Sequence, residues 1–355
     1  MKDQVHALEE SLRDLPRVSL ASLPTPLDEQ PRLADSIGVR SLYVKRDDLT
    51  GLAFGGNKVR ELEYFLGEAA ATGADVFVAG GGSSQSNHAR QCAAAAARIG
   101  LELHLVLRRG RFDSEPIANL LVTELLGATI HWSDVDDELK DREALSGRMQ
   151  EVALELKQAG RNPWVLPSSF HPLGAAAYVG AGIELGRQLE SIGIEEASIV
   201  CTSMGATRIG LDLYIDIAMK SWRLLAMGWR PVDPQLAERL SKLASETADL
   251  LGVNWQQSAK RFATWDAGGP AYGVLNENAL HALKLAARVE GLLLDPVYNS
   301  KGFAGLIEAI RQGAIDPDVP VVFLHTGGLP ALFAYGPELL ERTVGEISNY
   351  EKKGP

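Results

Sequence analysis

The segment Phe54-Gly55-Gly56-Asn57-Lys58 sets a lysine two residues after a glycine pair and at the start of a helical pattern, VRELEYFLGEAAA. Two glycines let backbone approach a ligand closely, and an amine held at such a point is placed to act as a nucleophile. The competing reading is a plain surface lysine, since exposure is the usual state of this side chain. Further along, Gly80-Gly81-Gly82-Ser83-Ser84-Gln85-Ser86-Asn87-His88 leads from a strand-like run into an Ala-rich helical one. Strand, glycine-rich loop and helix start form a generic anion site, because unpaired amides coincide with the positive end of the helix dipole. Met204-Gly205-Ala206-Thr207-Arg208-Ile209-Gly210 repeats the arrangement, with Gly205 permitting close approach and Thr207 offering a hydroxyl and an amide to a phosphate. Neither loop has the spaced glycines of the dinucleotide fingerprint or the Gly-Lys-Ser/Thr ending of a P-loop. Each is therefore a ligand loop or an ordinary helix-entry turn.

Two further polar clusters close apolar runs: Leu294-Asp295-Pro296-Val297-Tyr298-Asn299, in which Tyr298 is a candidate proton donor, and His325-Thr326-Gly327-Gly328 after VPVVFL. Loops gather ligands at the strand ends of open α/β sheets, although a single histidine after a strand is read as structural.

The elements that must hold these groups read as α/β. SLYVKRDD, ADVFVAGGG, LELHLVLRR, ATIHWS, ASIVCTS and SWRLLAMGWR are strand-like and alternate with helical stretches, the rhythm of largely parallel sheets. Helices are expected over SNHARQCAAAAARIG, from Ser114 to Leu126, from about Asp137 to Gln158, over HPLGAAAYVGAGIELGRQL, GLDLYIDIAM and PQLAERLSKLASETADLLG; LLLDP is strand-like. The texture turns Gly- and Ala-rich near residue 172, and no repeat or low-complexity linker interrupts the chain.

A chain of 355 residues, 46% of them hydrophobic, can bury a large core and is expected to divide into two domains. Its formal net charge of -11 argues against nucleic-acid binding, which needs clustered Lys and Arg. Cys92 and Cys201 lie among small or apolar residues and suit buried thiols of a reducing cytoplasm. MKDQVHALEESLRDLPRV lacks the apolar centre of an export signal, and no run approaches the roughly 20 apolar residues that span a bilayer, so no membrane partner is expected.

Taken in order, LPTPL (23–27), KRDD (45–48), GGNK (55–58), QSNHARQ (85–91), GATRIG (205–210), DPVY (295–298) and HTGG (325–328) resemble the family of 1-aminocyclopropane-1-carboxylate (ACC) deaminases and D-cysteine desulfhydrases over nearly the whole chain. These are pyridoxal 5'-phosphate (PLP) enzymes of the two-domain tryptophan-synthase-β-like fold, with open, mostly parallel sheets flanked by helices. The resemblance implies that Lys58 is the Schiff-base lysine, that Asn87 meets the ring hydroxyl, and that the loop of Gly205, Ala206, Thr207 and Gly210 holds the phosphate. It gives Ser86 a place beside the lysine and substrate, assigns the substrate carboxylate to Ser86, Asn87 and His88, sets Tyr298 and Tyr272 near the substrate, and counts Asn299 and Thr326 as cofactor contacts. It also implies a small domain of residues 61–172 inserted between segments 1–60 and 173–355 of a large domain, and a homodimer.

Two positions depart from the family. Asn299 stands where ACC deaminases carry Glu, at a position that faces the pyridine nitrogen. A neutral amide cannot supply the charge that keeps that nitrogen protonated, which weighs against ring opening of ACC. Glu61 stands where ACC deaminases carry a basic residue near the phosphate, and is expected to point outward. The activity implied is α,β-elimination on a small β-substituted amino acid, of the D-cysteine desulfhydrase kind, with ACC deamination and L-cysteate desulfonation as alternatives. A PLP-binding carrier or regulator without turnover and a nucleotide-binding module are the rivals from other classes.

Overall fold

Runs of β-branched and apolar residues pair into two separate parallel sheets in the computed structural model of the chain. It describes residues 2–339 except 110–111, 113–115, 134–140, 169, 230, 256, 258–261, 268, 270, 337–338 and 340 onward. The helices are α1 (Lys2–Asp14), α2 (Pro31–Ile37), α3 (Lys58–Ala71), α4 (Asn87–Ile99), α5 (Ala118–Leu125), α6 (Asp141–Gln158), α7 (Pro172–Ser191), α8 (Ala206–Ile217), α9 (Leu236–Leu250), α10 (Glu277–Glu290), α11 (Asn299–Arg311) and α12 (Ala331–Ala334). The strands are β1 (Leu27–Glu29), β2 (Leu42–Lys45), β3 (Val76–Gly81), β4 (Glu102–Arg108), β5 (Thr129–Ser133), β6 (Pro163–Val165), β7 (Glu196–Cys201), β8 (Ser221–Gly228), β9 (Trp265–Asp266) and β10 (Val321–Leu324).

The larger sheet has the order β1-β2-β10-β7-β8-β9 and the smaller β5-β4-β3-β6. Among the described residues only the β1–β2 pair is antiparallel. The expected α/β class with mostly parallel sheets is therefore what the chain forms. Strands covered by helices on both faces must be apolar throughout, and Val321, Val322, Phe323 and Leu324 of β10 are all buried. In the smaller sheet Val76, Phe77, Val78 and Ala79 of β3 are wholly buried.

The Gly/Ala-rich α7 packs closely on α8 because it carries so little side chain. At Gly210 of α8 a Cβ would stand 2.2 Å from the Ala175 carbonyl oxygen of α7, an approach that only glycine tolerates. Cys92 and Cys201 are free and buried. No described helix is long and apolar enough to cross a membrane.

Two expectations need correction. Gly291–Asp295 is not a strand. Leu294 is buried in the apolar cluster beneath the larger sheet, and the Leu293 carbonyl accepts from His325 Nε2 (2.8 Å) instead of joining a ladder. Asp295 then receives the amides of Val297, Tyr298 and Asn299 (2.8–2.9 Å), which satisfies the free N–H groups around the start of α11. The helix expected from Ser114 begins only at Ala118, after an extended Ile117; Ser114 itself, like Asp137, lies outside the described residues.

Candidate active site

Lys58 opens α3, and the turn before it fixes its position. Gly55 has φ +64°, and a Cβ there would lie 2.0 Å from the Asp48 carbonyl oxygen; at Gly56 (φ +127°) a Cβ would meet the Gln91 amide at 2.4 Å. The fully buried Arg90 holds the same turn by donating to the carbonyls of Ala53 and Gly55. Lys58 Nζ emerges about a quarter exposed and donates to Glu61 Oε1 at 2.8 Å. Glu61 is therefore turned inward, against the expectation that it would point to solvent. Its spacing of three places it on the same helical face as Lys58, and burial among α3, α4 and α7 leaves that amine as its partner. Burial raises the Glu61 carboxyl above its ordinary value, and Lys58 only partly offsets this.

Across the cavity, α4 begins with Ser86 as its cap, whose Oγ accepts from the Ala89 amide (3.2 Å). Asn87 follows, with its Oδ1 fixed by Asn119 Nδ2 at 2.9 Å, and Asn119 is tied in turn to Gln85. His88 Nε2 lies 3.5 Å from Cys92 Sγ, while its buried Nδ1 has no protein partner. Burial, and then the charge of Lys58, lower its pKa to about 3, so the ring stays neutral at ordinary pH.

The second loop starts α8 at Gly205, where no side chain caps the helix. The amides of Ala206 and Thr207 have no protein acceptor among the described residues, and Asn57 Nδ2 donates to Thr207 Oγ1 (3.2 Å), joining this loop to the turn before Lys58. Open amides at the start of a 12-residue helix suit a phosphate group, because the donors and the dipole converge.

Asn57, Lys58, Glu61, the Ser86–His88 helix start and the Gly205–Thr207 helix start line one cavity of about 450 Å³, which also takes in Tyr272, Tyr298, Thr326 and Gly327. Tyr272, Tyr298 and Trp229 form an edge-to-face cluster with ring centroids 5.1–6.1 Å apart. Burial raises the Tyr272 hydroxyl above the usual phenol value, against hydrogen bonds with Tyr298 and Ser83 that lower it.

Two residues singled out in the sequence do not reach the cavity wall. Gly210 serves the α7–α8 contact. Asn299 is fully buried behind Thr326: its Nδ2 donates to Asp295 Oδ1 and the Gly327 carbonyl (both 2.6 Å), and its Oδ1 accepts from the Thr326 amide and hydroxyl (3.0 and 3.2 Å). His325 is structural, as read: the Gly327 amide donates to its Nδ1 (3.1 Å), leaving the proton on Nε2 for Leu293. Sequence reasoning missed Trp229, which closes β8, and Arg108, which closes β4 and donates to the Gly82 carbonyl at 2.9 Å. Both follow the carboxyl ends of parallel strands, where open α/β sheets collect their ligand groups.

An amine, two helix starts and an aromatic wall around one cavity suit a phosphorylated aldehyde cofactor, and the chain belongs to the pyridoxal-phosphate dependent enzyme family, whose model matches residues 18–327. It is a PLP enzyme. The chain is 36% identical over 338 residues to a D-cysteine desulfhydrase of Klebsiella pneumoniae, covering 93% of this chain and 99% of that protein. A D-cysteine desulfhydrase of Salmonella newport is 36% identical over 334 residues, covering 92% and 98%. Among solved structures, a crystal structure described as an ACC deaminase homologue superposes with a TM-score of 0.85 at 34% identity, over 96% of this chain and 99% of the other.

Proposed function

We propose that the protein is a PLP-dependent lyase that carries out α,β-elimination on a small β-substituted amino acid, in the manner of D-cysteine desulfhydrase, giving pyruvate, ammonia and a leaving group such as sulfide. One observation carries this reading: Lys58 Nζ, the Ser86–His88 helix start and the Gly205–Thr207 helix start wall the same cavity. The names and coverage of the relatives support it.

Lys58 is the residue that would bind the cofactor aldehyde, with Gly205, Ala206 and Thr207 at its phosphate, and Asn87 and Thr326 beside its ring. PLP supplies an electron sink for the negative charge left at the substrate Cα. The chain supplies the rest. The α4 amides and the hydroxyl of Ser86 meet the substrate carboxylate, as a helix start favours an anion. Neutral His88 adds a polar edge without an opposing proton load. Lys58 Nζ or Ser86 Oγ takes the Cα proton, according to which face of the substrate is presented. Tyr298, held against Trp229 and Tyr272, stands where a hydroxyl can assist the departing group, and the aromatic wall keeps water away from it.

Deamination of ACC is the second reading, favoured by the ACC deaminase homologue among the structural relatives. Asn299 counts against it, because that amide is neutral and all of its hydrogen bonds go to protein groups. The proposal includes the division into segments 1–60 and 173–355 around a small domain of 61–172, which is supported by the smaller sheet drawing all its strands from Val76 to Val165. It also includes a cytoplasmic homodimer, supported by the family resemblance and checked by light scattering.

The test is the visible absorption spectrum of the purified protein beside Lys58→Ala, before and after D-cysteine. An absorption band in the wild type, missing from the variant and perturbed by substrate with release of pyruvate, is expected. A band without turnover would redirect the search to L-cysteate, β-chloroalanine or ACC; no band after added PLP would sink the reading.

A further inference from the structure

Glu61 is the one feature of the cavity that runs against the chemistry assigned to it. Its carboxyl is buried, its residue is 2% exposed, and it lies between the lysine and the start of α8. A Cβ built on Gly174 would stand 3.5 Å from Glu61 Oε2 and 3.1 Å from Ala206 Cβ, so the carboxyl and the first residue of α8 both flank the first turn of α7. An ionised carboxylate at that point shares one cavity with any phosphate held by the loop. Like charges in a partly buried site disfavour each other, and the cost is relieved when one of them takes a proton.

The surroundings decide which. The titratable groups that interact with Glu61 are Lys58 on its own helix, Cys92 on α4 and Tyr178 on α7, and His88 of α4 shares the cavity wall with it. Burial lowers His88 to about 3 and raises Cys92 and Tyr178 beyond their ordinary values, so none of these three titrates near neutrality. The Glu61 carboxyl is already displaced toward its neutral form by burial, held back by Lys58. A group bound to Lys58 Nζ removes part of that restraint.

We propose, on the reading of Gly205–Thr207 as a phosphate seat, that Glu61 is a proton-holding positioning residue: its carboxyl takes up a proton when a phosphate monoester occupies the loop, and stays a neutral acid at the edge of the loaded site. A neutral carboxyl there donates a hydrogen bond where the carboxylate would repel, and so serves in place of the basic residue expected at this position.

Infrared difference spectra between the PLP-loaded and cofactor-stripped protein at pH 8, in water and in D2O, read this directly. The wild type should gain the carbonyl stretch of a protonated carboxylic acid, shifted in D2O, and lose a carboxylate band; Glu61→Gln should show neither change. A loaded wild type with its visible PLP band but no new acid band overturns the proposal and leaves the cofactor reading intact. Absence of the visible band overturns both. Sulfate, whose charge is fixed over this range, is the second probe and needs no variant to fold. Its affinity for the stripped wild type should fall about tenfold per pH unit above the Glu61 pKa, as linkage to one proton requires. A flat profile overturns the proposal.

Discussion

Two clusters of paired charges meet on α3, through Arg60 in one and through Lys58 and Glu61 in the other, and they have been built for different ends. Arg60 donates to both oxygens of Asp47 (3.0 and 2.8 Å) and to both oxygens of Glu184 (3.0 and 2.9 Å), while Lys45 closes on Glu184, Gln188 and the Thr25 carbonyl, and Tyr178 on Asp47 (2.7 Å). Every charge there has several partners, and little of it meets solvent: Lys45 is 2%, Asp47 0% and Arg60 3% exposed, although Arg60 and Glu184 also line a second cavity of about 500 Å³. One turn away, Lys58 and Glu61 have a single hydrogen bond between them and face the cavity. A saturated network locks β2, α3 and α7 together; a lone pair at a cavity wall can exchange its partner for a ligand. Burial of charge alone does not distinguish structure from function, but the number of partners does.

The sharpest way to break this comparison is to remove one lysine and one aspartate. Lys58→Ala should lower pyruvate release from a β-substituted amino acid by about 10³-fold or more, since it removes both the cofactor anchor and a candidate base. Its cofactor-free form should be destabilised less than Asp47→Ala, because Lys58 is partly exposed and the Glu61 carboxyl it leaves behind is already displaced toward its neutral form. Asp47→Ala should act on stability instead, with a loss of about 3–5 kcal/mol in urea unfolding, because Arg60 is left buried without its main partner. Equal destabilisation by both variants would erase the distinction.

Titration with acid sharpens it next. Burial raises the Asp47 carboxyl, but Arg60, Lys45 and the Tyr178 hydroxyl outweigh that and leave its pKa below the ordinary value; Glu184 is lowered in the same way by Arg60 and Lys45. A depressed folded pKa gives stability that is present above the unfolded value, about 4 for such carboxyls, and lost as pH falls through the folded one. Unfolding free energy should therefore drop as the pH goes below about 4, and the drop should be shallower in Asp47→Asn. Unfolding in urea across pH 3–7 would measure it; identical slopes would remove these carboxylates from the account.

Much of this arrangement can be read from the chain before it folds. The alternation of apolar strands with Ala- and Gly-rich helices carries the sheet class, and glycines before Lys58, Ser86 and Ala206 mark three places where backbone must come close to something. The inward turn of Glu61 is less legible, because a spacing of three says that two side chains share a helical face but not whether that face meets a cavity or water. Leu292–Leu294 reads as a strand because an apolar run is consistent with any buried extended segment, and only the acceptor duty of Leu293 toward His325 shows that no ladder forms. Trp229 and Arg108 owe their place at the wall to the ends of β8 and β4, so finding them required knowing where those strands stop.

The smallest expected effect, and the one that most finely separates the two clusters, is the stability of Glu61→Gln. Glutamine can still accept from Lys58 Nζ, and Lys58 retains access to water, so the change at neutral pH should be on the order of 1 kcal/mol or less. Its pH dependence has the opposite sign to that of Asp47. The folded pKa of Glu61 is raised, so the stability linked to its proton is fully present below the unfolded value and is lost as pH rises through the folded one. Relative to the wild type, Glu61→Gln should therefore gain stability as pH rises above about 4, whereas Asp47→Asn should lose it as pH rises through the window below about 4 and keep a constant deficit above it. Parallel urea titrations of the two variants would show curves that diverge with rising pH. If they run together, Glu61 belongs to the same closed electrostatic system as Asp47, and the cavity-facing pair has no separate role.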